Sequence, residues 1–331
     1  MSGEPAVDVL IVSLGSTGGL RSADEQLADS LARAGASVAV AAATAPREVR
    51  TLALTDLGWA LAARRAAAAE LSRRPARAVV YSSTTAALLW SRPGAIRFDA
   101  PAAANRPGRH GVWQRPLERR RLRQAALLVP WSEGGLAEAG TAARGRPAVV
   151  VPVAVAPSGP PQPERDLAAL CYTANPEKKG LDRILLAWAR ARRPDEQLFL
   201  AGADLSLRQE GVCVLGRLPA GEYRALLRRT RVFVSAPRRE DHGLAQLEAL
   251  ADGCRLVTTE APGPYVALAL ARQLDARLVG EDLAGAMRLA LDDPLPGYAA
   301  RALELLAPLA PDEVDRRVAQ DLLPALLAAP A

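Results

Sequence analysis

The spacing of apolar residues in the first half of the chain changes repeatedly from that of a buried strand to that of a helix. Residues 7–12 form an apolar, mostly β-branched run, which predicts a strand. The turn-rich residues 15–19 follow, and residues 22–25 have the form of a capping box, which predicts the start of a helix. This helix is expected to end at Gly35. Further strands are predicted at residues 37–42, 77–81 and 148–155.

A proline-rich segment at residues 156–163 interrupts this alternation and is the best candidate for a linker. Beyond it the alternation resumes. Strands are predicted at residues 168–173, 197–201, 232–236 and 255–259, and helices at residues 181–192, 220–228 and 243–251. A last helix is predicted at residues 312–323, after the strands of this half have ended.

Buried strands that alternate with helices predict a parallel, doubly wound sheet, so the expected fold class is α/β with two Rossmann-like domains in tandem. We expect an N-terminal domain at residues 1–157 and a C-terminal domain at residues 164–310. Residues 311–331 are expected to form a helix that packs back on the N-terminal domain. The length of 331 residues agrees with two domains, each large enough to bury its own core.

Composition and charge limit which compartment and which partners are expected. Apolar residues make up 50% of the chain and aromatic residues only 4%, which favours helix-rich α/β packing over a β-sandwich. The formal charge of +6 is a mild excess that suits anionic ligands and does not single out nucleic acid. The three cysteines are far apart and lack metal-binding spacing, so we expect neither disulfides nor zinc. The sequence shows no signal peptide or long apolar run, and we expect a soluble cytoplasmic protein.

Lys178 and Lys179 are the only lysines in a chain that otherwise uses arginine as its cation. They precede the predicted helix at residues 181–192, where each cation opposes the helix dipole by roughly 0.3–1 kcal/mol and repels the other. The same position suits an anion, because free backbone N–H groups, the dipole and an ammonium all attract negative charge. We interpret the pair as a phosphate site. The alternative is two solvated loop residues beside Glu177.

Glu240 and Glu248 lie on either side of the start of the predicted helix at residues 243–251. If the whole spacing were helical, about 12 Å would separate them, which is near the length of a nucleotide sugar. Glu248 falls on or beside the apolar face, so its carboxylate needs a partner. That partner is either an arginine, in an ion pair, or the hydroxyls of a ribose. Glu240 could hold the hydroxyls of a sugar.

These stretches, taken in order, resemble the retaining GT-B glycosyltransferases of family 4. The run VFVSAPRREDHGLAQLEALADGCRLVTT at residues 232–259 is similar to that family's strand, E-x7-E motif, helix, glycine turn and strand. EKKG followed by LDRILLAWARA is similar to its KG motif and helix. The resemblance is good over residues 168–305 and weak over the N-terminal half, where residues 15–40 look like the family's first glycine-rich loop and helix.

The resemblance implies that two domains face a cleft, with a donor nucleotide sugar held mainly by the C-terminal domain and an unknown acceptor by the N-terminal one. By position, it implies that Lys179 binds the diphosphate with Lys178 beside it, that Glu240 contacts the donor sugar and that Glu248 contacts the ribose. Transfer would retain the anomeric configuration. The charge on the leaving diphosphate would be stabilised by the ammonium and by helix termini, without a metal or another cofactor.

Backbone groups complete the implied site. The N–H groups around His242, Gly243 and Leu244 would meet the sugar or the diphosphate, and Gly18 and Gly19 would belong to the first glycine-rich loop. The sequence contains no Asp-x-Asp, the pattern with which metal-dependent sugar transferases of the other major fold hold a cation.

Two positions depart from the family pattern. An arginine usually precedes the KG lysine as a second diphosphate contact, but residues 173–175 carry no cation, and Arg183 or Arg217 would have to compensate. A histidine often ends a strand of the N-terminal domain and faces the donor sugar. The matching segment here ends in Asp99, which could take part of that role, and His110 is the other candidate of this domain.

Residues 106–123 form an arginine cluster that also contains Trp113. The simplest interpretation is a solvated helix face, supported by Glu118 as a partner of Arg121 at helical spacing. The functional alternatives are recognition of an anionic acceptor and peripheral contact with an anionic membrane surface.

The sequence lacks the motifs of several other enzyme classes. The residues 15–19 do not match the dinucleotide fingerprint, and neither a P-loop nor a nucleophile elbow occurs in the sequence. The main alternative is a nucleotide-sugar-binding partner protein on the same fold with weak or no transfer activity. Few aromatic residues and the mild charge argue against nucleic acid as a partner.

Overall fold

A computed structural model describes residues 5–46, 51–106, 108–160, 162 and 164–329. The chain divides into two compact units, Met1–Ala154 with Pro311–Ala331, and Val155–Ala310. The boundary between the units therefore lies just before the proline-rich segment that we interpret as a linker. Pro161 and Pro163 of that segment lie outside the described residues.

The first unit is built on a parallel five-stranded sheet in the order β2-β1-β3-β4-β5. Its strands are β1 (Val7–Ser13), β2 (Val38–Ala42), β3 (Ala76–Tyr81), β4 (Ala95–Phe98) and β5 (Leu127–Pro130). Its first helices are α1 (Gly18–Arg33), α2 (Leu52–Arg73), α3 (Thr84–Ala87), α4 (Gln114–Gln124) and α5 (Glu133–Ala139), and short 3₁₀ turns lie at Ala102–Asn105, Gly108–Gly111 and Gly140–Ala142. Apolar side chains from both faces of the sheet are buried beneath these helices.

Two predicted boundaries in this unit are wrong. Helix α1 begins at Gly18 rather than at the capping box, because the Thr17 hydroxyl accepts a hydrogen bond from the Leu20 N–H and caps the helix earlier. Residues 148–155 form no full strand. They add one bridge to β5, from Ala148 to Leu128, and Pro147 and Pro152 cannot donate the hydrogen bonds that a longer ladder needs.

The second unit has its own parallel five-stranded sheet, in the order β10-β9-β6-β7-β8. Its strands are β6 (Leu167–Tyr172), β7 (Leu198–Ala201), β8 (Val212–Gly216), β9 (Thr230–Ser235) and β10 (Arg255–Thr258). Its helices are α6 (Leu181–Ala191), α7 (Ala220–Arg229), α8 (Leu244–Ala251), α9 (Val266–Asp275), α10 (Leu283–Asp292) and α11 (Tyr298–Leu306), with 3₁₀ turns at Ala276–Leu278 and Ala307–Leu309. The pattern of apolar residues missed β8, a half-buried edge strand.

The end of the chain returns to the first unit. Helix α12 (Pro311–Arg317), a π-helical turn (Val318–Leu322) and helix α13 (Leu323–Ala328) bury Val314, Val318, Leu322 and Leu326 in the core around β1 and α1. Arg33 of α1 donates two hydrogen bonds to the carboxylate of Asp315, at 2.7 and 2.8 Å. The terminal helices are thus part of the core of the first unit.

Both units are parallel, doubly wound sheets flanked by helices, so the predicted α/β class with two Rossmann-like units is confirmed. In the second unit β6 and β9 are neighbours in the sheet although β7 and β8 lie between them in sequence. The direction of winding reverses at such a pair, and ligands of doubly wound proteins bind beyond the carboxyl ends of the strands there. Those ends are Tyr172 and Ser235, which makes the two loops that follow them the first place to search for a site.

Candidate functional site

The loops after β6 and β9 are held against each other by backbone contacts. The Arg238 N–H donates to the Lys178 carbonyl at 2.9 Å. Gly180, the N-cap of α6, has φ +65°, and a Cβ atom there would lie 2.0 Å from the Ala236 carbonyl oxygen. Only glycine fits this left-handed and crowded position. The KKG stretch is therefore fixed beside the segment that carries Glu240.

The two lysines are paired with carboxylates of the other loop. Lys179 Nζ donates to Glu240 Oε2 at 2.5 Å, and Lys178 Nζ donates to Asp241 Oδ2 at 3.0 Å. Their side chains are 18% and 35% exposed, so neither ammonium extends into bulk solvent. The chain thus supplies an anion for each lysine, and the sequence did not predict these two ion pairs.

A buried polar network fixes the Glu240 carboxylate from its other side. Gln246 Nε2 donates to Glu240 Oε2 at 3.0 Å and to Ser235 Oγ at 2.9 Å. Beside it, the hydroxyls of Tyr265 and Thr258 are hydrogen-bonded at 2.6 Å, and burial raises the pKa of Tyr265 to about 12. Glu240 thus accepts hydrogen bonds from the Lys179 ammonium and from the buried Gln246 amide. Sequence reasoning missed this network; a glutamine within the apolar run of α8 was the one signal for it.

Asp241 joins a further cation to the site. Arg239 Nε donates to Asp241 Oδ1 at 2.8 Å, while the other oxygen of this carboxylate accepts from Lys178. Asp241 and Glu240 are both buried. Within the described part of the chain, the structure therefore assembles at least three cationic and two anionic side chains at the switch point, and of these Arg239 and Asp241 were missed. The adjacent charges of the RRED stretch were the available signal.

The start of α8 contributes backbone groups. Its N-cap is Gly243, with φ +88°, and a glycine has no side chain with which to cap the first-turn N–H groups. His242 is buried just before it, and Leu244 is the first helical residue. A Cβ atom on Gly243 would lie 3.0 Å from the ring of Tyr265. The helix terminus, with its positive dipole end, follows directly after the charged cluster.

Glu248 lies within α8 and is only partly buried. Its side chain is 27% exposed, and Arg224 Nη1 lies 3.7 Å from its Oε1. The same guanidinium makes a closer contact with Asp252, at 2.6 Å. Burial raises the pKa of Glu248, and Arg224 offsets part of that effect. The arginine partner that we weighed against a ribose is thus present but shared. Since α8 begins at Leu244, half of the Glu240–Glu248 spacing is loop and the 12 Å estimate does not apply.

The remaining predicted residues belong to the first unit. Asp99 follows β4, is half-buried, and accepts a hydrogen bond from the Ala100 N–H at 2.7 Å. His110 is exposed in the 3₁₀ turn Gly108–Gly111. Gly18 and Gly19 are the first two residues of α1. The predicted site residues 178, 179, 240 and 242–244 thus lie together in the second unit. Asp99, His110, Gly18 and Gly19 belong to the first unit.

The arginines that we expected to compensate for the missing diphosphate contact are engaged elsewhere. Arg183 pairs with Glu281 at 2.6 Å, and Arg217 lies 3.7 Å from Asp204 with both side chains about four-fifths exposed. The guanidinium that the structure connects to the lysines is that of Arg239.

The arginine cluster of the first unit is arranged differently from the prediction. Glu118 is buried and accepts hydrogen bonds from the N–H groups of Ala102 and Ala103, instead of pairing with Arg121. Arg121 stacks over Trp90, 4.9 Å from the ring centroid. The outer face of α4 is left with three exposed arginines, Arg119, Arg120 and Arg123.

A buried charged pair also lies under α1 in the first unit. Ser13 Oγ donates to Asp24 at 2.6 Å, and Arg97 Nη1 lies 3.6 Å from the same carboxylate. Burial lowers the pKa of Arg97 to about 10 and raises the pKa of Asp24. Both side chains are almost fully buried, so the pair connects β4 to α1 and does not face a substrate.

The comparisons with known proteins agree with this architecture. Residues 166–293 match the family model described as glycosyl transferases group 1. The resemblance to the GT-B glycosyltransferases is thus confirmed by this matched segment, which lies within the second unit, and by the fold; the finer assignment to family 4 stays a prediction. No curated protein sequence matches the chain.

Several solved structures share the fold at low sequence identity. Sucrose-phosphate synthase from Thermosynechococcus elongatus superimposes with a TM-score of 0.70 at 15% identity, covering 99% of this chain and 100% of that one. WaaG, a glycosyltransferase involved in lipopolysaccharide biosynthesis, gives 0.66 at 18% identity over 96% and 97%. HepE from Anabaena, solved with UDP and glucose, gives 0.68 at 13% identity over 96% and 99%.

Two features are absent from the described residues. No helix there has both the length and the apolar character needed to cross a bilayer. No group of three or more His, Cys, Asp or Glu side chains in the described part of the chain could hold a metal ion.

Proposed function

We propose that this protein is a retaining glycosyltransferase that moves a sugar from a nucleotide-diphosphate donor to an acceptor without a metal ion. The match to the glycosyl transferases group 1 model and the shared fold support sugar transfer in general. The observation that carries the finer proposal is the 2.5 Å contact between Lys179 and Glu240. It joins the KG-like loop and the E-x7-E-like loop at the switch point of the second sheet.

The contacts of the site support a role for each residue. The donor diphosphate would bind Lys179 and Lys178, and the leaving-group charge that develops during transfer would be stabilised by these ammoniums and by the start of α8. Glu240 would exchange Lys179 for the hydroxyls of the donor sugar while Gln246 continues to hold it. Glu248, with its exposed fraction and shared arginine, would accept hydrogen bonds from the ribose. Metal independence is proposed because the chain provides the cations itself.

The first experiment is a thermal-shift screen of UDP, GDP and ADP and of their sugar derivatives. A ligand raises the melting temperature by an amount that grows with its concentration relative to its dissociation constant. UDP is a natural first probe, since HepE was solved with UDP and with UDP-glucose. Donor turnover in the presence of EDTA, with the anomeric configuration of the product read by NMR, then tests metal independence and retention. Lys179→Ala should slow turnover about 10²–10³-fold, the usual cost of removing one group that stabilises transition-state charge.

One observation favours a second candidate, a nucleotide-sugar-binding protein with weak or no transfer activity. Residues 173–175 carry no cation, and both lysines are already neutralised by carboxylates. Binding of a nucleotide sugar without hydrolysis or transfer, over a panel of sugar and lipid acceptors, would establish this candidate and exclude the enzyme.

The compartment and the acceptor remain parts of the proposal. All three cysteines are free thiols, which supports a reducing compartment such as the cytoplasm. The exposed arginines of α4 support peripheral contact with an anionic surface. Asp99 and His110 are the residues of the first unit that we propose to act on the donor sugar or the acceptor.

A further inference from the structure

We infer that Gln246 is a positioning residue, which holds the Glu240 carboxylate so that one of its oxygens is presented to the donor sugar. This inference rests on the proposed function, and it adds to the site a residue that acts on the sugar through Glu240.

The two oxygens of the Glu240 carboxylate have different surroundings. Oε2 accepts a hydrogen bond from Lys179 Nζ at 2.5 Å and another from Gln246 Nε2 at 3.0 Å. Oε1 accepts no hydrogen bond from the described residues, and it is not among the side-chain atoms that the protein encloses completely. Oε1 is therefore the oxygen that is available to a hydroxyl of a ligand.

Gln246 is the partner that keeps its hold on Oε2 when the donor binds. In the proposed function Lys179 turns to the diphosphate, which leaves the Gln246 amide on this oxygen. The nitrogen of the amide must face Glu240, because a carboxylate can only accept hydrogen bonds. The same nitrogen donates to Ser235 Oγ at 2.9 Å and lies 3.4 Å from the Tyr265 hydroxyl. The amide is thus anchored to the last residue of β9 and to the residue before α9.

The carbonyl oxygen of the Gln246 side chain indicates that stability alone does not explain this residue. Gln246 is almost fully buried, and within the described part of the chain its Oε1 has no hydrogen-bond partner. A buried acceptor without a partner is destabilising. The adjacent residues of α8, Ala245 and Leu247, are apolar, and a leucine at position 246 would avoid this cost. The hydrogen bond that the nitrogen gives to Glu240 explains why a glutamine is present instead.

The experiment measures how much affinity the sugar adds to the nucleotide. Calorimetry compares UDP with UDP-glucose, GDP with GDP-mannose and ADP with ADP-glucose. Gln246→Leu should leave affinity for the nucleoside diphosphate unchanged and weaken affinity for its sugar derivative about tenfold, the value of one hydrogen bond to a charged group. A residue that only maintained the fold would affect both ligands equally.

A double variant tests whether Gln246 acts through Glu240. Glu240→Ala alone should weaken binding of the sugar derivative at least as much as Gln246→Leu does, because it removes the contact itself. In the Glu240→Ala background Gln246→Leu should have no further effect, whereas independent contributions would add.

Gln209→Leu is the matched control for Gln246→Leu. Gln209 is a glutamine of the same unit, and its amide donates to the Leu185 carbonyl at 3.2 Å. It lies just before β8, at the edge of the parallel sheet opposite to the loops after β6 and β9. This variant should bind the nucleotide and its sugar derivative as the wild type does.

Gln246→Glu provides a dependence on pH that a purely structural role would not produce. It places a second carboxyl group beside Glu240, at the 3.0 Å distance of the present hydrogen bond, and two carboxylates so close cannot both be ionised. Their shared proton can replace the amide hydrogen. Affinity for the sugar derivative, relative to the wild type at the same pH, should therefore fall as the pH rises from about 6 to about 8. Lys179 and Tyr265, which also contact this network, are the same in both proteins.

The outcomes separate this inference from the proposed function. Equal losses for both ligands in Gln246→Leu, additive effects in the double variant, or a Gln246→Glu protein without the pH dependence overturn the inference, while nucleotide binding by the wild type upholds the proposed function. A wild type that gains no affinity from the sugar also overturns the inference. If the wild type binds none of UDP, GDP and ADP and none of their sugar derivatives, the proposed function itself is wrong.

Discussion

Lys179 shows how a single side chain can be stable before its ligand arrives. Its ammonium is next to a helix N-terminus, where a cation is unfavourable, yet Glu240 pairs with it at 2.5 Å and covers it from water. A ligand that replaces one partner must also find a new partner for the other.

This pairing changes the expected effect of removing the lysines. The sequence alone predicts that Lys178→Ala with Lys179→Ala relieves repulsion and leaves stability unchanged or raised. In the structure the double variant removes one cationic partner from each of two buried carboxylates, so the free energy of unfolding should fall by about 1–3 kcal/mol. Affinity for nucleoside diphosphates should fall as well. Urea unfolding and calorimetry measure the two effects.

Arg238→Ala is the matched control for the lysine variant, because it removes an exposed cation from the loop after β9, which faces the lysines. It should change neither stability nor affinity by much, as is usual for surface ion pairs. A double lysine variant that is as stable as the wild type and binds nucleotides equally well would contradict the site.

Glu248 gives a prediction about pH. Burial raises its pKa above the ordinary value of 4.5, so the folded protein holds this proton to higher pH than the unfolded chain does. Its contribution to stability is therefore present below about pH 4.5 and is lost as pH rises through the raised folded-state pKa. Glu248→Gln lacks this loss, and its stability relative to the wild type should increase from pH 4.5 to pH 7. Arg224 keeps Asp252 as a partner in the variant.

Urea unfolding at the two pH values measures the effect on Glu248. The exposed Glu222 of α7 supplies the control, and Glu222→Gln should follow the wild type at both values. An identical difference between Glu248→Gln and wild type at pH 4.5 and pH 7 would show that the carboxyl titrates normally.

At the residue scale the sequence predicted the members of the site whose identity is unusual. Lys178 and Lys179 are the chain's only lysines, and Glu240 interrupts a strand-to-helix connection. Gln246 and Tyr265 could not be predicted, because their roles depend on which side chains the folded sheet brings together. The ion pairs of the lysines depend on the same tertiary contact.

At the scale of the elements, the contacts between the loops after β6 and β9 say more about the candidate site than helices α6 and α8, which follow those loops. Two observations require a glycine at position 180. Its φ is positive, and a Cβ atom there would collide with the Ala236 carbonyl. The register of β6 beside β9 sets this approach, so the loop geometry follows from the pairing of the strands.

Gly180→Ala should therefore affect both stability and binding. A left-handed alanine costs roughly 1–2 kcal/mol, and the clash with Ala236 adds to it, so we expect a loss of at least about 2 kcal/mol. The loops must move apart to admit the methyl group, and nucleotide affinity should fall. Gly221→Ala is the control, since a Cβ atom there meets open space and alanine favours helix α7. Equal melting temperatures for the two variants would contradict this packing.

Helix α4 carries a prediction about membranes. Its arginines at positions 119, 120 and 123 are exposed. Val112, which precedes α4 in the sequence, is 63% exposed. Each basic residue near an anionic surface contributes about 1 kcal/mol of binding. The protein should sediment with vesicles that contain phosphatidylserine, and Arg119→Gln/Arg120→Gln/Arg123→Gln should abolish most of this binding.

The control for α4 removes the same charge elsewhere on the first unit. Arg64→Gln/Arg65→Gln/Arg144→Gln changes three exposed arginines, and it should retain most vesicle binding. If both triple variants lose binding equally, net charge rather than this helix face is responsible. If the wild type ignores anionic vesicles, α4 is a solvated face.

Element boundaries mark the limit of prediction from periodicity. The alternation of strands and helices was predicted because buried parallel strands read as apolar runs. The start of α1 was not, since Ser22 and Glu25 have the form of a capping box in the sequence, while in the structure Thr17 already caps the helix. The edge strand β8 was missed because its half-buried residues form a run too short and too mixed to stand out.

At the scale of the whole molecule, the chain forms two doubly wound sheets, each with its own core. Their strand orders are β2-β1-β3-β4-β5 and β10-β9-β6-β7-β8. The terminal helices contribute to one of those cores only. Leu322 is fully buried there, and Leu322→Ala should lower the stability of the first unit by about 2–5 kcal/mol. Hydrogen exchange should increase in β1 and β3 and remain unchanged in β6 and β9.

Leu303→Ala is the control for this prediction, because Leu303 lies in the second unit and is 40% exposed. Its effect should be small and confined to that unit. Faster exchange throughout the chain in Leu322→Ala would mean that the two units unfold as one.

The hydrogen bond from the Val155 N–H to the Leu309 carbonyl, at 2.8 Å, brings together the two ends of the second unit. A segment whose ends touch can be cut out of a gene, or inserted into another, without stretching the backbone on either side. Residues 155–310 are therefore suited to transfer between proteins as one segment. If the second unit binds the donor, as proposed, a hybrid protein that receives this segment should acquire its nucleotide preference and keep the acceptor of its host.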